Sequence, residues 1–145
     1  ALFHQTFKHP VLPEPTIPSE TRCNLRVSLL AEELKELEEA IENKDIVEIA
    51  DALCDLQYVL SGAILEFGLG EKFKTLFDEV QRSNMSKACK TEEEAKATVA
   101  HYEAKGTPCF YEKEGDLFLV FREGDHKTLK SINYSPADLK NILEK

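Results

Sequence analysis

Residues 29–56, LLAEELKELEEAIENKDIVEIADALCDL, place ten carboxylates among leucines and isoleucines that recur at helical spacing. A solvated helix keeps its acids on the outer face, so the direction of these side chains decides what kind of helix this is. The stretch breaks once, at Asn43-Lys44-Asp45. Asp45 is a good N-cap, and so short a connection predicts two antiparallel helices. The first is expected from Ser19 or Thr21 to about Asn43, and the second from behind Asp45 to Phe67, where Gly68 and Gly70 stop it.

Successive side chains on a helix turn by about 100°, so each acid can be placed. With Glu33 at zero, Leu29, Leu37 and Ala40 fall within about 40° of it, and Leu30 and Glu36 within about 60°. Glu33 therefore stands in the middle of an apolar stripe, with Glu36 along its edge and Glu32 and Glu39 beside it. Lys35, Glu38 and Glu42 fall on the opposite, solvated side. Arg22 and Arg26 project onto the Glu33 face one to three turns earlier. On the second helix Glu48, Asp51 and Asp55 lie within about 60° of one another, on a segment apolar nearly all round.

Three like charges on one strip of a buried helix cost several kcal/mol unless neutralised. Antiparallel pairing lets Glu33 and Glu36 face Glu48 and Asp51, with no lysine on either inward stripe. Two arginines do not balance five acids, and oxygen-only ligands suit Mg²⁺ or Mn²⁺ rather than zinc. Other carboxylate sites lack their patterns: there is no pair of helical Glu-x-x-His motifs, no EF-hand loop and no P-loop.

The rest of the chain frames this pair. Leu2 to Phe7 reads as a short helix, and Pro10, Pro13, Pro15 and Pro18 impose an extended segment after it. A third helix is expected over roughly 71–82. Thr91-Glu92-Glu93-Glu94 opens another that ends at Gly106. PCFYEKEGDLFLVFRE (108–123) reads as a β-hairpin about Glu114-Gly115-Asp116, a basic stretch (126–130) follows, and Ser135-Pro136 is expected to cap a last short helix. The fold expected is mainly α: an antiparallel helical bundle over 1–90, and a C-terminal α/β appendage over 91–145 in the same folding unit.

Composition bounds the function. The 145 residues, 42% hydrophobic and 31% charged, are those of a globular protein, and no apolar run approaches the roughly 20 residues that span a bilayer. A formal charge of -9 argues against a nucleic-acid partner. Cys23, Cys54, Cys89 and Cys109 are widely spaced, which suits reduced thiols in the cytoplasm, and His4, His9, His101 and His126 form no metal-binding group.

Glu32-Glu33-Leu34-Lys35-Glu36, followed by Glu48-Ile49-Ala50-Asp51, resembles the E-E-x-x-E … E-x-x-D signature of the all-α nucleoside triphosphate pyrophosphohydrolases, the MazG-like superfamily. Ser83-Asn84-Met85-Ser86-Lys87 and the stretch from Lys130 to Leu139 resemble S-N-M-S-K and K-x-x-N-Y-x-P-x-D-L segments of a bacterial and phage subgroup, as does the segment from Phe3 to Glu20. The resemblance implies Mg²⁺-dependent cleavage of nucleoside triphosphates to monophosphate and pyrophosphate, by a homodimer or dimer of dimers. Carried over by motif, Glu33, Glu36, Glu48 and Asp51 would hold metal, Glu32 would be a further ligand or position the attacking water, and Glu32 and Glu33 would be the catalytic acids. Asp55 is read as a fifth ligand or a partner for Lys87. Arg26, Asn84, Lys87, Lys130, Asn133 and Tyr134 are assigned to the substrate. Tyr58, on the acid strip's line, is read as core, with stacking on a base as the alternative. Phosphoribosyl-ATP pyrophosphohydrolase is the nearest rival activity, and a non-catalytic helical oligomer that binds nucleotide or metal is the rival from another class.

Overall fold

A computed structural model describes residues 1–145. Helix dominates: α1 (Leu2–Thr6), α2 (Glu20–Glu42), α3 (Ile46–Glu66), α4 (Phe73–Met85), α5 (Glu92–Ala104) and α6 (Leu139–Leu143). Three strands, β1 (Cys109–Glu114), β2 (Leu117–Arg122) and β3 (Thr128–Leu129), form one antiparallel sheet in the order β1-β2-β3. No helix is long and apolar enough to cross a membrane. The chain divides into two compact units, Ala1–Phe73 and Lys74–Lys145.

In the first unit the helix boundaries follow the local chemistry. Ser19 caps α2 by accepting the Arg22 N–H, and Asp45 caps α3 by accepting the N–H groups of Val47 and Glu48 at 3.0 and 3.2 Å. Lys44, between the two helices, is turned into the left-handed region at φ 52°. Pairings along the seam fix its direction. Arg22 and Arg26 near the start of α2 meet Glu66 at the end of α3, Glu33 meets Asp55 midway, and Glu36 shares a cleft with Glu48 near the connection. That order requires antiparallel helices.

The proline-rich segment lies on the end of α3. Leu12 N–H donates to Leu65 O at 3.0 Å, and Thr16 N–H to Phe67 O at 2.9 Å. Gly68, at φ +70°, makes this possible, because a Cβ there would sit 1.7 Å from the Glu14 carbonyl oxygen. The strap returns α1 to the helix pair, with His4 buried beneath it.

Large apolar side chains are not enclosed in this unit. Its buried hydrophobic residues are Ala40 and Ala52, while Val27, Leu34 and Ile41 on α2 and Ile46, Leu53 and Leu60 on α3 stand exposed. The two exposed rows each recur every seven residues. Burial of α3 all round, expected from its composition, is not met within one chain, and Tyr58 is 64% exposed rather than core.

The second unit has its own core, in which Cys89, Ala95, Cys109, Val120 and Leu129 are buried beneath Val99, Tyr102, Tyr111 and Phe118. The hairpin has the expected place and a two-residue turn, with Gly115 at φ +60° and Glu114 paired to Leu117. Thr91 caps α5 through the Glu94 N–H, while the Glu94 carboxylate accepts the Lys90 N–H at 2.9 Å. Two features differ from the sequence expectation. The basic stretch contributes β3, which pairs Val120 with Leu129 and so completes the core. The last helix is capped by Asp138, not Ser135, because the carbonyls of Ser135 and Pro136 accept from Ser86 and Arg82 and hold that stretch extended.

Candidate metal and substrate site

The α2–α3 seam carries an acidic row. Glu33, Glu36 and Asp55 each offer a carboxylate oxygen within 4.8 Å of the others. Glu33 and Asp55 are half-buried and Glu36 exposed, so the cluster opens to solvent on one side. Nearer the connection Glu36, Glu39, Glu48 and Asp51 line a cleft of about 390 Å³ with Ala40, Asn43 and Ala52. Ala40 and Ala52 are buried, and their small side chains let the helices approach at this point. Glu36 belongs to both groups. Glu48 and Asp51 are thus one step along the seam from Glu33, and Asp55 takes the position facing it. Glu32 is exposed beside the cluster.

Glu33 is the electrostatic centre. Burial, and then the neighbouring carboxylates of Glu36, Asp55 and Glu32, push its carboxyl up to about 7. Its Oε2 is buried with no hydrogen-bond partner. An orphaned buried carboxylate oxygen facing two further carboxylates is a donor set for a hard divalent cation. Opposite oxygens on one Mg²⁺ stand about 4 Å apart, so small side-chain rotations close the observed 4.8 Å. The residues present fit Mg²⁺ or Mn²⁺.

The raised carboxyl has a consequence for stability. Between pH ~4.5 and about 7 the folded protein holds a proton on Glu33 that the unfolded chain has released, so this group's contribution to stability falls as pH rises through that window. Without metal, Glu33→Gln is therefore expected to melt above wild type at pH 8, the gap closing as pH falls toward 4.5. Thermal melts in EDTA across that range check it, and a constant offset would contradict it.

Arg22 and Arg26 do not serve the acidic row. Both Nε groups donate to Glu66, one to each carboxylate oxygen, and Glu66 is fully buried. Burial alone would raise the Glu66 carboxyl, but the hydrogen bonds and charges of Arg22 and Arg26 outweigh it and hold Glu66 below the usual carboxylate range. Arg26, assigned to the substrate by resemblance, is 5% exposed and spends its Nε on this pair. Glu66 belongs to no motif, yet its signal is in the sequence. It falls about 20° from Asp55 on the α3 wheel, on the stripe that faces Arg22 and Arg26.

In the second unit the two segments singled out by sequence meet. The Ser83 hydroxyl donates to Tyr134 Oη at 3.1 Å, Ser131 N–H donates to Lys87 O at 3.0 Å, and Ser135 N–H donates to Ser86 Oγ at 2.9 Å. Lys130 Nζ lies 4.5 Å from the centre of the Tyr134 ring. Asn133 donates its N–H to Ser131 Oγ, and its side chain helps hold the Glu94 carboxyl low. Burial opposes that shift, and Ser131 and the Lys90 N–H contribute to it as well. Asn84 is exposed and Lys87 half-buried. Asn133 and Tyr134 thus order this loop, and Lys130 is drawn onto it.

Among curated proteins none matches the chain. A family profile described as phosphoribosyl-ATP pyrophosphohydrolase matches residues 1–84, which takes in the strap, α2, α3 and nearly all of α4. That family lies within the MazG-like all-α pyrophosphohydrolases. The matched residues carry the whole acidic row and the Arg22–Glu66–Arg26 bridge. The chain belongs to the phosphoribosyl-ATP pyrophosphohydrolase family.

Proposed function

We propose that the protein hydrolyses (deoxy)nucleoside triphosphates to the monophosphate and pyrophosphate with Mg²⁺, or Mn²⁺ in its place. The observation that carries this reading is the orphaned, buried Glu33 oxygen opposite Glu36 and Asp55. Divalent ions held by these carboxylates would supply charge neutralisation for phosphoryl displacement and a more acidic water. Glu33, Glu36 and Asp55 would hold one such ion, and Glu48 and Asp51, sharing a cleft with Glu36, have the donors for a second. Glu32, exposed beside the cluster, is placed to orient the water and take its proton. Asn84, Lys87 and Lys130 are proposed as phosphate contacts on the motif resemblance alone.

The family match favours a second substrate, phosphoribosyl-ATP, cleaved by the same chemistry. Pyrophosphate release measured across NTPs, dNTPs and phosphoribosyl-ATP separates the two. Turnover of ordinary triphosphates supports the first reading, turnover of phosphoribosyl-ATP alone supports the second, and metal-dependent binding without turnover supports a nucleotide sensor.

The working form is proposed to be a homodimer or a dimer of dimers in the cytoplasm, where the four unbridged cysteines stay reduced. Rows of exposed apolar side chains at Leu34 and Ile41 on α2, and at Leu53 and Leu60 on α3, have the seven-residue recurrence of a helix-packing seam. A second copy would cover them and complete a core that one chain lacks. Leu53→Glu is expected to shift wild type to a less stable monomer, read by light scattering coupled to gel filtration. An unchanged mass would remove α3 from the interface.

A further inference from the structure

The α2–α3 seam continues past the carboxylates into a cavity of different character. Its volume is about 260 Å³, just below the usual range for small-molecule sites and open on one side, and its lining includes Phe3, His4, His9, Arg26 and Tyr58. No carboxylate lines it. Leu29 and Val59, which complete its lining, lie one helical turn from Glu33 and Asp55 respectively, so the cavity begins about 6 Å along the seam from the proposed ion.

One wall is aromatic and the floor is polar. Phe3 and Tyr58 meet edge to face at 5.7 Å, and Phe3 also stands 5.8 Å from the His9 ring. Tyr58 keeps 64% of its surface exposed, so a ring face is free. On the floor, His4 Nδ1 donates to Pro10 O at 2.9 Å, which leaves Nε2 as an acceptor whenever the imidazole is neutral. Arg26, fixed by Glu66 through Nε, supplies donors beside it. Gly62 makes room for both, because a Cβ there would lie 2.7 Å from Arg26 Nη1 and from His4 Nε2. Aromatic wall, donor and acceptor are the recognition elements of a heterocyclic base.

We propose that this cavity is the base subsite: the purine or pyrimidine ring of the nucleotide stacks on the Tyr58–Phe3 wall, its edge meets Arg26 and His4, and its phosphates reach the carboxylate row. The assignment rests on the nucleotide pyrophosphohydrolase reading. It places base selection in the first unit and gives α1 and its strap a purpose, since they deliver Phe3, His4 and His9 to the seam. It also gives Arg26 a substrate role compatible with its ion pair.

The test uses the full chain, with Tyr58→Ala, Tyr58→Phe and Phe3→Ala. For a nucleotide that wild type cleaves, Tyr58→Ala and Phe3→Ala are expected to raise KM by roughly 5- to 150-fold, the range that base–aromatic stacking is worth, with kcat within about threefold. Tyr58→Phe should restore KM. Inorganic tripolyphosphate, which has no base, should be bound or cleaved equally by all of them. Wild-type KM in both alanine variants, or equal losses on tripolyphosphate, would overturn the subsite while leaving the pyrophosphohydrolase reading intact. If wild type cleaves no nucleotide, calorimetry of the metal-free protein with adenosine, guanosine, cytidine and uridine decides the subsite independently. Binding lost in Tyr58→Ala upholds it, and no binding, or binding kept in Tyr58→Ala, overturns it.

Discussion

Glu33→Gln is expected to reduce pyrophosphate release by at least ~10³-fold while the protein stays folded. The side chain keeps its size and loses the charge that faces Glu36 and Asp55. A divalent ion contributes several kcal/mol of charge stabilisation in such a displacement, and each 1.36 kcal/mol is tenfold in rate. The same substitution relieves the repulsion that raises the Glu33 carboxyl to about 7, so the variant should be no less stable than wild type in EDTA. Lost activity with retained or increased metal-free stability distinguishes an ion ligand from a packing residue. A variant that keeps a tenth of wild-type activity would remove Glu33 from the chemistry.

Glu66→Ala is expected to act in the opposite way, on stability first. The carboxylate is fully buried and holds Arg22 and Arg26 together, with Arg22 Nη2 already lacking a partner. Removing it leaves two guanidinium groups converging with nothing between them, a loss of about 3–5 kcal/mol when a buried pair is broken from one side. A melting temperature lower by on the order of 10 °C follows. Chemical denaturation reads the free energy directly. A loss below ~1 kcal/mol would mean that both arginines turn to solvent and that the buried bridge contributes little.

These two glutamates show what the sequence made legible. Helical rotation alone put Glu33 on the inward stripe and Glu48, Asp51 and Asp55 on one strip, because 100° per residue is a property of the backbone and independent of the partner. It could not give the axial match between helices, and that match decides which acids touch. Antiparallel pairing at the observed register sets Glu33 against Asp55 and moves Glu48 and Asp51 into the next cleft. The same register sets Arg22 and Arg26 against Glu66, which the composition of α3 left unremarked. Caps at Ser19, Asp45 and Thr91 were readable because each is a single residue bonding to its own first turn.

Features that depend on remote contacts were not readable in that way. β3 is two residues long and exists because Val120 needs Leu129 beside it. Ser135-Pro136 has a capping sequence, yet bonds to Ser86 and Arg82 hold it extended and pass the cap to Asp138. Tyr58 looks like core on the helix wheel and is exposed, because the turn that carries it faces a cavity under α1 and not another helix.

The divalent-cation site proposed at Glu33, Glu36 and Asp55 is open to a binding measurement with Mn²⁺. Titration of the metal-free protein at pH 7, followed by electron paramagnetic resonance and by proton release in calorimetry, should show Mn²⁺ bound with displacement of the proton that Glu33 retains near that pH. Glu33→Gln should bind Mn²⁺ at least ~10-fold more weakly and release fewer protons. Equal binding by the two proteins, or no binding by wild type, would contradict the claim.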